Sequence, residues 1–186
     1  MADTKFDLLA LSGSLRKGSF NALLLRCAQE AAPADVAVDI YDYSDIPLYN
    51  GDVEAAGFPA SVVRLKARIA KADAILFAVP EYNYSFPGVM KNMIDWTSRP
   101  YGKSAWGGKA AALVSTGGGL GGARAQYHLR QVLVSQGMHL LHAPEVFVAG
   151  AATKFDANGR LTDDVARGLI GQVVVKLRDL SRRMAG

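Results

Sequence analysis

Apolar residues in this chain fall into short continuous runs, separated by longer stretches where they recur every three or four positions. The runs are too short for core helices and read as strands buried on both faces. Phe6 to Leu11 ("FDLLAL"), Ala74 to Val79 ("AILFAV") and Ala110 to Ser115 ("AAALVS") are of this kind. Val36 to Tyr41 ("VAVDIY") alternates in a way that suits a strand, and Met138 to Val148 holds a fifth, interrupted around Pro144. Between them, Asn21 to Ala32, Pro59 to Ala70, Val89 to Ser98 and Ala123 to Gln136 read as helices. The last helix, from Asp163, carries Val165, Leu169, Val173, Leu177, Leu180 and Met184 at spacings of three and four. Asn158-Gly159 in "DANGRL" marks a turn.

Strands alternating with helices imply a parallel sheet covered by helices on both faces. Five such units suit an α/β, doubly wound, flavodoxin-like sheet of order 2-1-3-4-5. No repeat, low-complexity tract or linker divides the chain, so residues 1–186 are expected to form one domain. In this strand order the first and third strands are neighbours whose following helices leave on opposite faces. A crevice opens at their carboxyl ends, and the loops after strands one, three and four should build the site.

Composition narrows the chemistry. The formal charge of +4 favours anionic partners in general, but no Lys/Arg-rich tract marks a nucleic-acid arm. Arg178, Arg182 and Arg183 are expected to face solvent or to favour a helix C-terminus. A single cysteine, Cys27, excludes an intrachain disulfide and every cysteine-cluster metal site, and its surroundings suggest a small buried residue. The start "MADTKFD" lacks the features of a signal peptide, and no apolar run approaches the ~20 residues of a membrane span. A cytoplasmic protein is expected.

The first loop, "LSGSLRKGSFN" from Leu11 to Asn21, joins a strand to a helix. Gly13 and Gly18 have the separation of a nucleotide-triphosphate loop, but Ser19 and Phe20 stand where that motif needs Lys and Ser/Thr. A single phosphate monoester matches better. The helix start supplies free N–H groups, Ser12, Ser14 and Ser19 supply hydroxyls, Asn21 an amide and Arg16 a charge. The bland alternative is that Ser19 only caps the helix and the rest is a solvated turn.

The second loop, "PEYNYSFPG" from Pro80 to Gly88, follows the central strand. Backbone amides of Glu81 to Asn83 could reach the polar edge of a heterocycle, and the Tyr82 ring offers stacking area. The alternative is an aromatic loop that packs on the neighbouring helix. "GSLRKGSFN" followed about sixty residues later by "PEYNYSFPGVMKNMIDW" resembles the NADPH-dependent FMN reductase family, especially its bacterial quinone and chromate reductase branch. The resemblance extends over "LVSTGGGLGG" and "FDANGRLTDD", nearly the whole chain. It implies bound FMN, with Ser14, Arg16, Ser19 and Asn21 on its phosphate. It implies Pro80, Glu81, Tyr82 and Asn83 along the isoalloxazine, and Ser115, Gly117 and Gly118 at the ring's other edge.

The resemblance further implies hydride transfer from NADPH or NADH through FMN N5 to quinones, flavins or acceptors such as chromate, in ping-pong order. No catalytic side chain is required. It implies a homodimer or homotetramer, with Tyr84, Arg124 and Glu145 at a subunit contact. An electron-transfer flavodoxin would share the fold, but such carriers are strongly acidic and this chain is basic. Arg16, Arg99 or Lys103 is expected to meet the 2′-phosphate of NADPH.

Two rival readings carry less. Gly117 to Gly122 satisfies G-x-G-x-x-G after a strand, with Glu145 as a possible ribose partner. A dinucleotide fold would leave the first two loops without a task, and the glycines read better as backbone that approaches a flat ring. His128, His139 and His142 could not assemble a usual zinc site without carboxylates.

Overall fold

The computed structural model describes residues 5–186. Met1 to Thr4, on which part of the targeting expectation rests, lie outside the described residues. Six parallel strands form one sheet: β1 (Phe6–Ser12), β2 (Val36–Ile40), β3 (Ala74–Ala78), β4 (Ala110–Thr116), β5 (His139–Leu140) and β6 (Val146–Val148). Their order is β2-β1-β3-β4-β5, with β6 also paired to β4, so the expected flavodoxin-like arrangement holds. Every residue of β3 and β4 is buried, which is why these strands read as unbroken apolar runs.

Six α-helices occur among the described residues, and all but α2 pack on the sheet: α1 (Phe20–Glu30), α2 (Gly51–Ala56), α3 (Ala60–Lys71), α4 (Gly88–Thr97), α5 (Ala123–Ser135) and α6 (Asp164–Met184). Successive strand side chains point to opposite faces, and two cores result. On one face Leu8, Ala10, Leu76 and Val114 pack with Leu24 and Leu25 of α1 and with Ile170, Val174 and Leu177 of α6. On the other, Leu9, Leu11, Ile75, Phe77 and Leu113 meet Leu65, Met93, Leu129 and Trp106. Cys27 is buried, as expected of its setting.

The fifth strand is split as its sequence suggests. β5 pairs with Ala110 and Ala111 at the start of β4, and β6 pairs with Val114 to Thr116 at its end. Pro144 lies between, where its missing N–H cannot join a ladder. β6 therefore delivers the chain after Val148 to the carboxyl edge of the sheet. α2 had no signature in the sequence because it buries no side chain; Asn50 caps it by accepting from the Asp52 N–H at 2.8 Å.

Arg182 and Arg183 stand in the last turn of α6, as expected, and the departure is Arg178, whose side chain is largely covered. Arg178 donates to both carboxylate oxygens of Asp35 at 3.0 and 3.1 Å, and Arg182 adds a third bond at 3.1 Å. They tie the end of α6 to the turn before β2 rather than facing solvent alone. No described helix is long and apolar enough to cross a membrane.

The Phe77 ring is fully buried and packs 5.8 Å from the Trp106 ring. Phe77→Ala should cost about 3–5 kcal/mol of stability, read as a lower urea midpoint at unchanged slope.

Candidate functional site

The first loop is anchored before it turns. The Gly13 N–H donates to Ala78 O at 2.8 Å, and a Cβ on Gly13 would lie 2.8 Å from Pro80 Cδ. Only glycine lets β1 and the second loop meet here. The buried Tyr43 phenol donates to Ser12 O at 2.6 Å, and burial, with Asp42 adding, pushes its pKa well up. Tyr43 stays a neutral donor at any ordinary pH.

At the loop's far end Ser19 takes extended dihedrals, and its hydroxyl accepts from the Ala22 N–H at 3.4 Å. Capping leaves the hydroxyl proton of Ser19 free to donate. Asn21 brackets Thr116 at the end of β4, donating to Thr116 O at 3.0 Å and accepting from the Thr116 N–H at 3.2 Å. One amide N–H of Asn21 remains. The Ser14 hydroxyl lies 3.3 Å from the Tyr82 phenol, joining the first and second loops. Arg16 is exposed, its guanidinium 5.8 Å from the Phe20 ring centre, and no carboxylate among the described residues pairs with it.

The second loop is a tight hairpin. Tyr82 and Ser85 exchange both backbone bonds at 2.8 and 3.0 Å, while Asn83 and Tyr84 take φ of 49° and 69°. Two left-handed residues in succession make the turn favoured in hairpins. Asn adopts this readily; Tyr does not, and its ring is held by Arg124, whose guanidinium lies 3.7 Å from the ring centre. Arg124 also donates to Glu81 Oε1 at 2.6 Å, leaving Glu81 Oε2 buried without a partner. His128 meets the Ser85 hydroxyl at 3.1 Å. The three backbone amides expected to face a ring are reduced to two, since the Tyr82 N–H is taken by Ser85 O.

The third loop shows what its glycines are for. Gly121 (φ 58°) and Gly122 (φ 87°) are left-handed; a Cβ would lie 2.7 Å from Phe147 C in the first case and 2.8 Å from Ser115 Cβ in the second. These two glycines serve packing against β4 and β6. Gly118 and Gly119 have open space where a Cβ would stand, and Gly117 is the glycine of this loop that lines the cavity. Ser115 is wholly buried beneath the loop, donating to Gly121 O at 2.6 Å and accepting from Gln126 Nε2 at 2.8 Å. Gln126 Nε2 also donates to Val146 O at 2.9 Å. The chain leaving β6 seals this side, with Ala151 N–H to Gly117 O at 2.9 Å and Gly150 N–H to Gly118 O at 3.1 Å.

These loops enclose an open cavity of about 200 Å³. Its wall includes the expected Ser14, Arg16, Ser19 and Asn21 on one side, and Pro80, Glu81, Tyr82 and Gly117 on the other. Phe20, Thr116 and Ala151 complete it, unforeseen because apolar and backbone contributors carry no chemical signature. Asn83 stands at the hairpin tip, Gly118 beside the wall and Ser115 behind it.

Arg99 and Lys103 are not at the mouth. Both follow the C-terminal end of α4, whose N-terminal end abuts the site, and ten helical residues span about 15 Å. Arg99 instead stacks 5.3 Å from the Tyr49 ring centre, with Glu54 3.8 Å away. Glu145, weighed as a ribose partner, accepts from the Tyr127 phenol at 3.0 Å on both oxygens. No cluster of metal-ligating side chains occurs among the described residues.

A parallel sheet of this order, with a cavity where the first and third strands end, defines a flavodoxin-like mononucleotide-binding protein. Residues 6–153 match the model of the family described as NADPH-dependent FMN reductase, and the chain belongs to that family of oxidoreductases. It is 50% identical over 179 residues to the NAD(P)H-dependent FMN reductase of Pseudomonas aeruginosa, covering 96% of this chain and 97% of that one. Identity to the NADPH:quinone oxidoreductase of Arabidopsis thaliana is 44% over 185 residues, or 95% and 92% of the two chains. Among solved structures, the flavoenzyme NAD(P)H:(acceptor) oxidoreductase FerB of Paracoccus denitrificans superposes with a TM-score of 0.86. It is 37% identical, over 95% of this chain and 97% of that one.

Gly122→Ala should destabilise the protein by at least about 1 kcal/mol, because φ of 87° and the contact with Ser115 both oppose a Cβ. Thermal melting would show the loss, and Gly119→Ala, at an open position, should melt within a degree or two of the wild type.

Proposed function

We propose that the chain is an FMN-dependent NAD(P)H oxidoreductase that passes reducing equivalents to quinones. The observation that carries this reading is the unpaired Arg16 guanidinium, set with the Ser14 and Ser19 hydroxyls at the start of α1. Such a cluster suits a dianionic phosphate ester, and the Cβ-free backbone opposite suits a flat ring.

The residues fit FMN. Ser14, Arg16, Ser19 and the remaining amide N–H of Asn21 would hold the phosphate. Pro80, Glu81, Tyr82 and Asn83 would border the isoalloxazine, with Gly117 and Gly118 at its other edge and Ser115 supporting that edge from below. The partnerless Glu81 Oε2 is a buried acceptor in the cavity wall, available to a polar N–H or O–H of the cofactor. When bound, FMN supplies hydride acceptance and donation at N5, so the chain needs no nucleophile of its own. Its residues have the tasks of binding, orienting and leaving one face of the crevice open. Donor and acceptor then use that face in turn, in ping-pong order.

Quinone reductases among the relatives support quinones as acceptors. Free flavins and chromate are further acceptors that an open crevice admits. Purified with FMN, the yellow protein should bleach anaerobically on adding NADPH or NADH and regain colour on adding a benzoquinone. Initial-rate lines at several quinone concentrations should be parallel. A protein that stays yellow with both nicotinamides would overturn the reading.

A homodimer or homotetramer completes the proposal. Tyr84 is 68% exposed and lies against Arg124 of α5, and Tyr127, exposed on the same helix, bonds Glu145. Sedimentation at micromolar concentration should show an oligomer, and Arg124→Ala should shift it toward monomer.

A further inference from the structure

The hairpin after β6 packs on the first loop from outside, through rings rather than hydrogen bonds. Phe155 and Leu161 pair across it, and the Asp156 carboxylate accepts from the Asn158 and Arg160 N–H groups, both at 2.9 Å. Gly159 (φ 79°) lies so close to Leu23 of α1 that a Cβ would stand 2.9 Å from Leu23 Cδ2. At the hairpin's base, Lys154 pairs with Asp163 at 2.6 Å, and Asp163 caps α6 by accepting from the Ala166 N–H at 3.0 Å. The segment is thus fixed to both α1 and α6.

From this base the Phe155 ring stacks on Phe20, with centres 5.2 Å apart and planes 20° from parallel. Phe20 is the first residue of α1, lines the cavity and carries the Arg16 guanidinium over its ring at 5.8 Å. No carboxylate among the described residues holds Arg16, and an exposed arginine side chain loses much rotamer freedom when fixed. The Phe20 ring is therefore the surface that confines the guanidinium near the cavity, and Phe155 confines the ring.

We infer that Phe155 is a positioning residue: through Phe20 it holds Arg16 ready for the phosphate, and so helps the site to prefer a phosphorylated flavin over its unphosphorylated form. This rests on the reading that the first loop takes the FMN phosphate. Phe155 itself touches no cofactor, and its effect should fall only on the ligand that carries the charge. Loss of the flat ring should loosen Arg16 without altering the walls assigned to the isoalloxazine.

The test compares FMN with riboflavin, using flavin fluorescence on wild type, Phe155→Leu, Phe155→Tyr and Arg16→Ala. Phe155→Leu should weaken FMN about five-fold, the scale of a modest cation–π contribution, and leave riboflavin within two-fold of wild type. Phe155→Tyr keeps the ring and should restore FMN affinity. Arg16→Ala should remove more of the FMN preference than Phe155→Leu does. Should Phe155→Leu fail to fold, Phe155→Met, which keeps the bulk without the flat ring, reads the same ratio. Equal weakening of both flavins, or no change in either, would overturn the role of Phe155. Equal affinity of the wild type for FMN and riboflavin would instead overturn the phosphate reading beneath it.

Discussion

Three loops can share one cavity here only because the backbone approaches itself at points that exclude a Cβ. Gly13 lies against Pro80, Gly121 against Phe147 and Gly122 against Ser115, each closer than a methyl group could stand. The parallel sheet brings the loops to one edge, but these contacts set how near they come. Polar bonds then lock the spacing: Asn21 to Thr116, Ser115 to Gly121, and Gln126 to both Ser115 and Val146. Bonds spent in this way build the site, and Asn21 keeps one amide N–H beyond those it spends on Thr116.

Charge follows the same division. Arg68, Arg124, Arg178 and Arg182 all have carboxylates, and each ties two separate pieces of chain together. Among the described residues, Arg16 meets an aromatic face and no carboxylate. In a chain of net charge +4, a guanidinium without a counter-ion at a helix start is where an anion gains most. The relatives' names and the family match agree with that chemistry.

The architecture was legible because β1, β3 and β4 are buried on both faces and so carry almost no polar interruption. The loops were legible through their unusual residue types: Ser14, Arg16 and Ser19 in one, Pro80 to Asn83 in the other. What escaped was information held in three dimensions. The Ser115 hydroxyl is spent on Gly121 and Gln126 beneath the third loop, which no sequence pattern announces. Arg99 looks available for the mouth, yet a helix length separates them. Gly121 and Gly122 fit a dinucleotide pattern for a packing reason, and Phe155, distant from Phe20 in the chain, meets it only after all six strands have been laid down.

The broken outer edge of the sheet has a consequence beyond the site. β5 covers two residues of β4 and β6 covers three, with Ala112 and Leu113 opposite the gap. Neither fragment offers a run of outward amides and carbonyls long enough to template a foreign strand. The same interruption that steers the chain toward the cavity therefore leaves the sheet's margin a poor seed for fibrillar growth.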